Sequence, residues 1–302
     1  MHSTRDTMKV DDFDAWTRAE LASVEAALDA WVPADAPAGV GVAMRYGVLD
    51  GGKRLRPLLV LAACEAVGGS REAAMRAACA VELIHAYSLV HDDMPCMDND
   101  VLRRGKPTVH VQFGEAQAML AGDAMQALAF EVLTPDAGVA PALQARLCSL
   151  LARAAGHAGM AGGQAIDLAS IGKPLDEAAL RDMHRRKTGA LLQASVLMGA
   201  ACGDITPVAW AALSDYGSAI GLAFQVVDDI LDVTQASETL GKTAGKDLHH
   251  NKPTYVSVLG LDAARRHADE LRDQAHAALQ RSGLADALRL AILADKVVER
   301  HS

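Results

Sequence analysis

The sequence predicts an all-α fold, and two observations support this. Ala, Leu, Met and Gln, which favour helices, fill long segments bounded by Gly, Pro, Asp and Ser. The strict alternation and β-branched runs of half-buried strands are nearly absent. The chain has 302 residues, 51% of them hydrophobic, so it can bury a large core, and we predict a single domain spanning residues 1–302.

Capping residues and helix breakers place the boundaries of the predicted helices. Gly68 can close the third helix, and Pro95 breaks the chain just after the fourth. Asp176 and Asp262 are predicted N-caps of the seventh and ninth helices. Thr206 is the predicted N-cap of the eighth, and a proline follows it at the first helical position. The predicted helices are 11–30, 37–48, 53–67, 71–93, 115–133, 141–157, 176–202, 207–234, 262–281 and 285–299.

Two longer polar loops, 94–114 and 235–253, remain between these helices, and each directly follows a cluster of aspartates. Long polar loops in an otherwise helical domain are more often functional than accidental. The loops therefore point to the position of a site.

Composition excludes several classes of protein. The net charge of -9 argues against a nucleic-acid surface, although basic residues bunch locally at 53–56, 103–106 and 185–187. Five widely spread cysteines without a CxxC pair argue against zinc or redox chemistry and favour a reducing compartment. The N-terminus is too polar for a secretory signal, and no stretch of 18 or more apolar residues could span a bilayer. We expect a soluble, cytoplasmic protein.

Two aspartate clusters each end an apolar stretch that is predicted to be a helix, Leu83–Asp98 and Ile220–Asp232. Carboxylates at the C-terminal end of a helix lie against its negative dipole end and repel one another, so they need cations. Mg²⁺ is the first candidate, because it prefers carboxylate oxygens. One such cluster alone is more often a solvated helix end. Two of them, each before a loop rich in cations, favour a metal site.

Spacing within the clusters predicts which carboxylates converge. Asp228 and Asp232 are four residues apart and share a helix face, whereas Asp229 points to the side. Asp92 and Asp98 are six apart, and they can approach only because the proline between them lets the chain double back.

Basic residues near these clusters predict an anion site. The segment Gly51–Pro57 places Lys53 and Arg56 on the first turn of a helix, where free backbone N–H groups add to the attraction; a basic surface turn is the alternative. Arg103 and Arg104 follow the first cluster and suit bidentate phosphate contact. Further cations, each of which could simply be solvated, are Lys187 within a helix and Lys242, Lys246 and Lys252 in the second loop. The pattern predicts a ligand that is polyanionic at one end.

The other end of the ligand is predicted to be apolar. Tyr87 and Ser88 lie five and four residues before Asp92, a little over one helical turn deeper, among aliphatic residues. They could line an apolar shaft beneath the anion site, although core packing is the alternative for Tyr87. Buried hydrogen bonding is the default explanation for the polar residues within or beside apolar stretches, His85, His91, Gln164, Asp167 and Gln225.

The motifs resemble those of a known family. In order they are GGKRLRP, HAYSLVHDDMPCMDNDVLRRGKPT, GGQAIDL, HRRKTGALL, GLAFQVVDDILD, GKTAGKD and NKPTY. In this order and spacing the chain closely resembles the trans-isoprenyl diphosphate synthases, and among them the bacterial farnesyl diphosphate synthases. The resemblance runs from about residue 40 to the C-terminal LADKVVER.

The resemblance implies an isoprenoid-synthase-type helical bundle around a deep central cavity, a homodimer and three Mg²⁺ ions. The implied metal ligands are Asp92 and Asp98 with Asp93 in support, and Asp228 with Asp229 and Asp232 acting partly through water. The implied contacts to the allylic diphosphate are Arg103, Lys187, Thr188, Gln225 and Lys242. The implied contacts to isopentenyl diphosphate are Lys53, Arg56, His85, Arg104 and the backbone of Gly52. Asp247 and Lys252 match family positions that support the metal ligands from behind or close the loop over the site.

The resemblance also implies the reaction. An allylic diphosphate ionises, the double bond of isopentenyl diphosphate attacks the cation, and a proton leaves to the released pyrophosphate. Tyr87 beneath Asp92 resembles the aromatic floor of enzymes that stop at fifteen carbons, and the small Ser88 argues against stopping at ten.

Three alternatives stay open. The product could be geranylgeranyl or geranyl diphosphate. A terpene cyclase is disfavoured, because the second cluster is Asp-Asp-Ile-Leu-Asp and a cyclase has no need of GGKRLRP. A non-catalytic partner subunit of a prenyl synthase is disfavoured because both aspartate clusters are intact.

Overall fold

The computed structural model describes residues 3–49, 51–173, 175–234 and 254–301, and most of these are helical. The all-α prediction is confirmed. The helices are α1 (Ser3–Trp31), α2 (Val40–Val48), α3 (Leu55–Ala66), α4 (Arg71–Asp92), α5 (Val109–Phe113), α6 (Glu115–Leu133), α7 (Pro141–Ala155), α8 (Met160–Ala169), α9 (Glu177–His184), α10 (Ala190–Ala201), α11 (Pro207–Thr234), α12 (Tyr255–Leu259), α13 (Leu261–Ser282) and α14 (Leu288–Val298).

Short elements complete the described part of the chain. Within the first polar loop, β1 (Leu102–Arg103) pairs antiparallel with β2 (Lys106–Pro107). A π-helical turn covers Arg185–Gly189, and 3₁₀ turns cover Pro37–Gly39 and Glu299–His301.

Capping explains where several helices begin. Asp176 Oδ1 accepts a hydrogen bond of 2.8 Å from the backbone N–H of Ala179, and Thr206 Oγ1 accepts one of 3.2 Å from Ala209, as predicted. The predicted N-cap at Asp262 is wrong. α13 begins one residue earlier, after Gly260, whose φ of +84° ends the preceding helix α12 and allows the chain to turn.

Helix α8 was not predicted, because its GGQ segment has low helix propensity. Tertiary packing outweighs that propensity. A side chain at Gly163 would place its Cβ 2.1 Å from the backbone N of Lys187, so only glycine lets α8 approach the π turn this closely. The predicted helix 176–202 is in fact α9, the π turn and α10 in succession.

Helix α4 lies at the centre of the core and carries the first aspartate cluster at its C-terminal end. Leu83 and Ile84 are fully buried, and α3, α6 and α10 pack around the helix. By length and composition α4 could cross a membrane, but 67% of its most apolar window is buried within the protein, which is typical of a core helix. α11, which carries the second cluster, packs against α10 and α13.

Candidate active site

A cavity of about 400 Å³ opens between α3, α4, α8 and the π turn. Its volume lies in the range of ordinary ligand sites. Polar groups and apolar groups both contribute to its wall. The polar lining includes Arg56, His85, Asp92, Gln164, Lys187 and Thr188. The remaining lining includes Tyr87, Ser88, Leu89, Met97, Met160, Ala161, Ala165 and Leu168. The cavity thus joins charged groups to an apolar interior, as the sequence predicts.

The first aspartate cluster doubles back as predicted. After Pro95, the backbone N–H of Asp98 donates a hydrogen bond of 2.9 Å to the carbonyl oxygen of Asp92, which brings the two residues together. Asp92 Oδ1 also accepts a hydrogen bond of 2.5 Å from Gln164 Nε2 on α8. Gln164 therefore orients Asp92 at the cavity wall.

Asp93 and Arg103 pair with each other. Asp93 is buried, and its carboxylate accepts hydrogen bonds of 2.6 Å from Arg103 Nη2 and 2.8 Å from Arg103 Nε. Burial raises the pKa of Asp93, while the Arg103 guanidinium acts in the opposite direction. This geometry favours a role for Asp93 in holding Arg103 in place. It does not favour direct binding of a metal by Asp93.

The three aspartates of the second cluster differ in exposure. The side chain of Asp228 is 37% exposed and contacts Arg300, with Oδ1 3.3 Å from Nη2, whereas Asp229 and Asp232 are buried. Asp229 accepts hydrogen bonds of 2.8 Å from Gln225 Nε2 and from the backbone N–H of Tyr255. Asp228 is the most accessible of the three for a metal ion.

Arg300, near the C-terminus, supplies positive charge to Asp228. Its guanidinium lies over the ring of Phe224 at 4.1 Å. Burial lowers the pKa of Arg300, and the nearby Asp228 acts in the opposite direction. The carboxylate of Asp228 is therefore already matched with a cation from the protein, as expected for an acidic group that requires a counter-charge.

The basic turn before α3 is shaped by its glycines. Arg104 Nη1 donates a hydrogen bond of 2.5 Å to the carbonyl oxygen of Gly51. Gly52 has a φ of +122°, and a Cβ there would lie 2.7 Å from Arg104 Nη2. Glycine suits this turn because of its positive φ, which other residues rarely adopt. Lys53, which follows, is largely exposed. Partial desolvation of its ammonium and the nearby Arg300 lower its pKa, while Asp228 acts in the opposite direction.

Arg56 and His85 form the inner part of this basic region. Burial lowers the pKa of Arg56, and its Nε has no hydrogen-bond partner among the described residues. Burial, followed by the charges of Arg56 and Arg104, lowers the pKa of His85 well below its usual value. His85 is therefore neutral at pH 7. A buried cation with an unpaired donor beside a neutral imidazole favours binding of an anion.

The π turn presents Lys187 and Thr188 to the cavity. Lys187 Nζ pairs with Asp167 Oδ2 at 2.6 Å, and Thr188 Oγ1 donates a hydrogen bond of 2.9 Å to Gln225 Oε1. The sequence predicts a regular helix here, and that is wrong. The π turn changes the direction of successive side chains, and such turns are frequent at functional sites.

The deeper part of the cavity contains Tyr87 and Ser88. Five residues of α4 separate Tyr87 from Asp92, a rise of about 7.5 Å. The Tyr87 hydroxyl accepts a hydrogen bond of 3.4 Å from Gln126 Nε2, and its ring packs edge-on against His91 with centroids 5.7 Å apart. Ser88 Oγ donates to the carbonyl oxygen of His85 at 2.8 Å.

Several predicted site residues lie outside the described part of the chain. They belong to the second polar loop, and they are Lys242, Asp247 and Lys252. Of the predicted site residues that the structure describes, seven line the cavity: Arg56, His85, Tyr87, Ser88, Asp92, Lys187 and Thr188. Asp93, Arg103 and Arg104 line a smaller pocket that shares His85 with it. Asp229 and Asp232 are buried.

The aspartates fit Mg²⁺. Within residues 3–49, 51–173, 175–234 and 254–301, no group of three or more His, Cys, Asp or Glu side chains forms an all-protein metal site. Mg²⁺ in proteins is usually bound by one or two carboxylates, with substrate phosphates and waters completing the octahedron. Asp92 and Asp228, each only partly buried, offer this kind of incomplete coordination.

The sequence predicts only buried hydrogen bonds for two residues that support the site. Gln164 and Asp167 lie three residues apart on one face of α8 and hold Asp92 and Lys187. The GGQAIDL segment contained the signal, but only a helix over it would have put both side chains on one face. Arg54, Tyr255 and Arg300 lie within the segments GGKRLRP, NKPTY and LADKVVER, but no spacing in these segments indicated their individual contacts.

Carboxylates and cations around an apolar cavity define the class of protein. Such a site suits an enzyme that transfers a hydrocarbon group from its diphosphate ester, because the charges stabilise the departing diphosphate and the cavity protects the hydrocarbon. The polyprenyl synthetase family model matches residues 39–289, and the chain belongs to this family.

Individual relatives and solved structures similar to the chain are also prenyl-transferring enzymes by name. The chain is 47% identical over 304 residues to geranylgeranyl pyrophosphate synthase 9, chloroplastic, of Arabidopsis thaliana, covering 99% of this chain and 84% of the relative. A putative farnesyl-diphosphate synthase from Marinomonas sp. MED121 has a TM-score of 0.80 at 41% identity, with 95% and 98% of the two chains covered. A Helicobacter pylori geranyltransferase complexed with magnesium and isoprenyl diphosphate has a TM-score of 0.82 at 34% identity, with 94% and 96% covered.

The family resemblance, the isoprenoid-synthase fold and the prenyltransferase class are therefore confirmed. The protein is a prenyltransferase that acts on isoprenyl diphosphates and belongs to a magnesium-dependent family.

Proposed function

We propose that the protein is a farnesyl diphosphate synthase, which extends dimethylallyl and geranyl diphosphate with isopentenyl diphosphate. The observation that carries this proposal is Tyr87, whose ring lines the cavity about 7.5 Å along α4 from Asp92. An aromatic ring at this depth limits the length of the hydrocarbon chain that fits beneath the diphosphate. The small Ser88, one residue nearer the mouth, leaves room for a chain longer than ten carbons.

In the proposed reaction the allylic C–O bond breaks, the resulting carbocation joins the double bond of isopentenyl diphosphate, and one proton leaves to the released pyrophosphate. Arg56, Lys187 and Arg103 are suited to hold the two diphosphates through charge-assisted hydrogen bonds. Bound Mg²⁺, for which we propose three ions, supplies further positive charge against the leaving diphosphate. The apolar walls exclude the water that would trap the carbocation.

A geranylgeranyl diphosphate synthase is the second candidate, because curated relatives 47% identical to the chain carry that name. It differs from the first proposal only in how far the chain grows before the cavity stops it. Tyr87 supports the first proposal, since a twenty-carbon chain would have to pass the position that its ring occupies. A geranyl diphosphate synthase is a weaker candidate, and a non-catalytic partner subunit conflicts with the intact set of charged groups at the cavity.

Removal of the Tyr87 ring tests the proposed product. Purified wild-type protein, given Mg²⁺, dimethylallyl diphosphate and isopentenyl diphosphate, should release pyrophosphate and form mainly the fifteen-carbon product. Tyr87→Ala should shift the product to twenty carbons or more, because it opens the floor of the cavity. Chromatography of the dephosphorylated products measures both results.

Tyr87→Phe is the matched control, since it keeps the ring and should keep the fifteen-carbon product. An unchanged product profile in Tyr87→Ala would show that Tyr87 does not limit the length of the product. A wild-type product of twenty carbons would replace farnesyl by geranylgeranyl diphosphate, and a failure to release pyrophosphate would favour the partner subunit.

We also propose a cytoplasmic homodimer. Exposed apolar side chains lie on neighbouring helices, with Val42 on α2, Val111 on α5 and Leu120 on α6, and these three helices pack together. Exposed apolar patches mark protein interfaces. All five cysteines are free, which supports a reducing compartment.

Light scattering should give twice the chain mass of 31.7 kDa for the wild type. Leu120→Lys should lower this mass, because it places a charge in the apolar patch, whereas Val208→Lys, at an exposed valine on α11, should not. A monomeric wild-type protein would contradict the proposed dimer.

A further inference from the structure

The ring of Tyr255 is held between two imidazoles behind the active site. Tyr255 is fully buried. Its ring stacks on His184 with centroids 5.5 Å apart and an interplanar angle of 28°, and it packs against His267 at 5.7 Å. His184 ends α9, next to the π turn, and His267 belongs to α13. The stack therefore connects three separate elements at one point.

The same residue contacts the active site through its backbone. The Tyr255 N–H donates to Asp229 Oδ2 at 2.8 Å, and Gln225 Nε2 donates to Asp229 Oδ1 at 2.8 Å. Gln225 Oε1 accepts from Thr188 Oγ1 at 2.9 Å. Because the amide of Gln225 can donate only through its nitrogen, Asp229 determines which way that amide faces. One continuous network thus runs from Tyr255 to the Thr188 hydroxyl at the cavity.

The side chain of Tyr255 contributes through its ring. Its hydroxyl oxygen is buried and has no hydrogen-bond partner among the described residues. Both ring nitrogens of His184 are likewise buried and have no hydrogen-bond partner there. Burial lowers the pKa of His184 to about 4, so the imidazole that stacks on the ring is neutral at pH 7. The stack is held by packing between rings, which the loss of one hydroxyl would not disturb.

The local backbone also favours this placement. Thr254 and Ser257 form a reciprocal capping box at the start of α12, which orients the first turn of the helix. The capping box sets the direction of the Tyr255 N–H, and the stacked ring sets its position relative to α11.

We propose that Tyr255 is a positioning residue for prenyl transfer, whose buried ring holds its own backbone N–H on Asp229 and thereby orients Gln225 and Thr188 at the cavity. The residue acts at a distance from the substrates. The inference uses the prenyltransferase activity of the family and is independent of the product length.

Tyr255→Leu and Tyr255→Phe test the proposal as a matched pair. Tyr255→Leu should lower kcat by about tenfold and raise the Mg²⁺ concentration for half-maximal activity by about as much, because without the stacked ring the backbone N–H of residue 255 is no longer held on the charged carboxylate of Asp229. The KM for isopentenyl diphosphate should stay within about twofold, since Lys53, Arg56 and His85 are left in place. Tyr255→Phe should restore wild-type values, because the hydroxyl has no partner.

A measurement without turnover completes the test. Hydrogen–deuterium exchange should show faster exchange of the backbone amides in 254–259 for Tyr255→Leu than for the wild type, and no change for Tyr255→Phe. If Tyr255→Leu does not fold, His267→Leu, which removes one side of the stack, should change exchange and Mg²⁺ dependence in the same direction.

Three results would overturn the proposal. The first is wild-type Mg²⁺ dependence and exchange in the folded leucine variants. The second is an equal loss of activity in Tyr255→Phe and Tyr255→Leu, which would assign the effect to the hydroxyl. The third is full additivity of Tyr255→Leu with Asp229→Asn, because two residues that act through one hydrogen bond should show a coupling energy.

Discussion

Replacing Asp228 by asparagine should lower turnover by at least about a hundredfold, which is the effect of removing one preorganised charge-stabilising group in other enzymes. Asp228 is the accessible carboxylate of the second cluster, and it is matched with a cation, Arg300. The asparagine keeps the shape but removes the negative charge that is proposed to hold Mg²⁺, and without that charge the diphosphate would be a poorer leaving group. Asp92→Asn should act in the same direction. Initial rates of pyrophosphate release at saturating substrates measure both.

The control for Asp228→Asn lies on the same helix. Asp215→Asn makes the same chemical change on α11, where Asp215 pairs with Arg281 on the surface, and should leave turnover within about twofold of the wild type, because surface ion pairs contribute little. In addition, Mg²⁺ with a bisphosphonate should raise the melting temperature of the wild type and of Asp215→Asn more than that of Asp228→Asn. Near-normal turnover in a folded Asp228→Asn variant would contradict the ligand role.

Arg54→Met should lower the free energy of unfolding by about 3–5 kcal/mol, which is the usual cost of removing one partner of a buried ion pair. Arg54 Nε contacts Glu25 at 2.7 Å, and Nη1 contacts Glu82 at 2.6 Å, with side chains only 2% and 4% exposed. Nη2 donates to the carbonyl oxygen of Val48 at 2.5 Å. Methionine would leave the Glu82 carboxylate buried without this partner. Urea denaturation followed by circular dichroism gives the change.

The double variant Arg54→Met/Glu82→Leu distinguishes a broken pair from a general packing defect. It should recover part of the loss, because replacing both members of a buried pair is far less costly than removing one. Arg281→Met, which removes an exposed arginine from its pair with Asp215, should cost no more than about 1 kcal/mol. If Arg54→Met alone lowered the free energy of unfolding by no more than about 1 kcal/mol, the buried pair would not stabilise the fold.

The Arg54 ion pairs also explain how the basic turn is held. Arg54 lies between Lys53 and Arg56 and has a φ of +46°, in the left-handed region that non-glycine residues rarely adopt. Its contacts to Glu25, on α1, and to Glu82, on α4, hold the backbone in this conformation. The side chains of Lys53 and Arg56 are left for the proposed contacts to the diphosphate, so the stability of the fold and these proposed contacts depend on the same turn.

Several features of the candidate site could be predicted because their sequence signals are local. The four-residue spacing of Asp228 and Asp232, the proline that lets Asp98 return to Asp92, and the depth of Tyr87 all follow from helix geometry over a few residues. The partners of these residues were not predictable in the same way. Gln164 and Asp92 are 72 residues apart in the chain, and no periodicity connects them.

The sequence by itself determined the helical class, the main helices, the two acidic clusters and the apolar shaft with Tyr87, because periodicity and spacing act within one or two helical turns. Only the tertiary structure decided which carboxylates are accessible. It buries Asp93 against Arg103 and Asp229 against Gln225 and Tyr255, and it leaves Asp228 accessible. The reason is physical, since the cost of burying a charge depends on partners that distant segments bring to it.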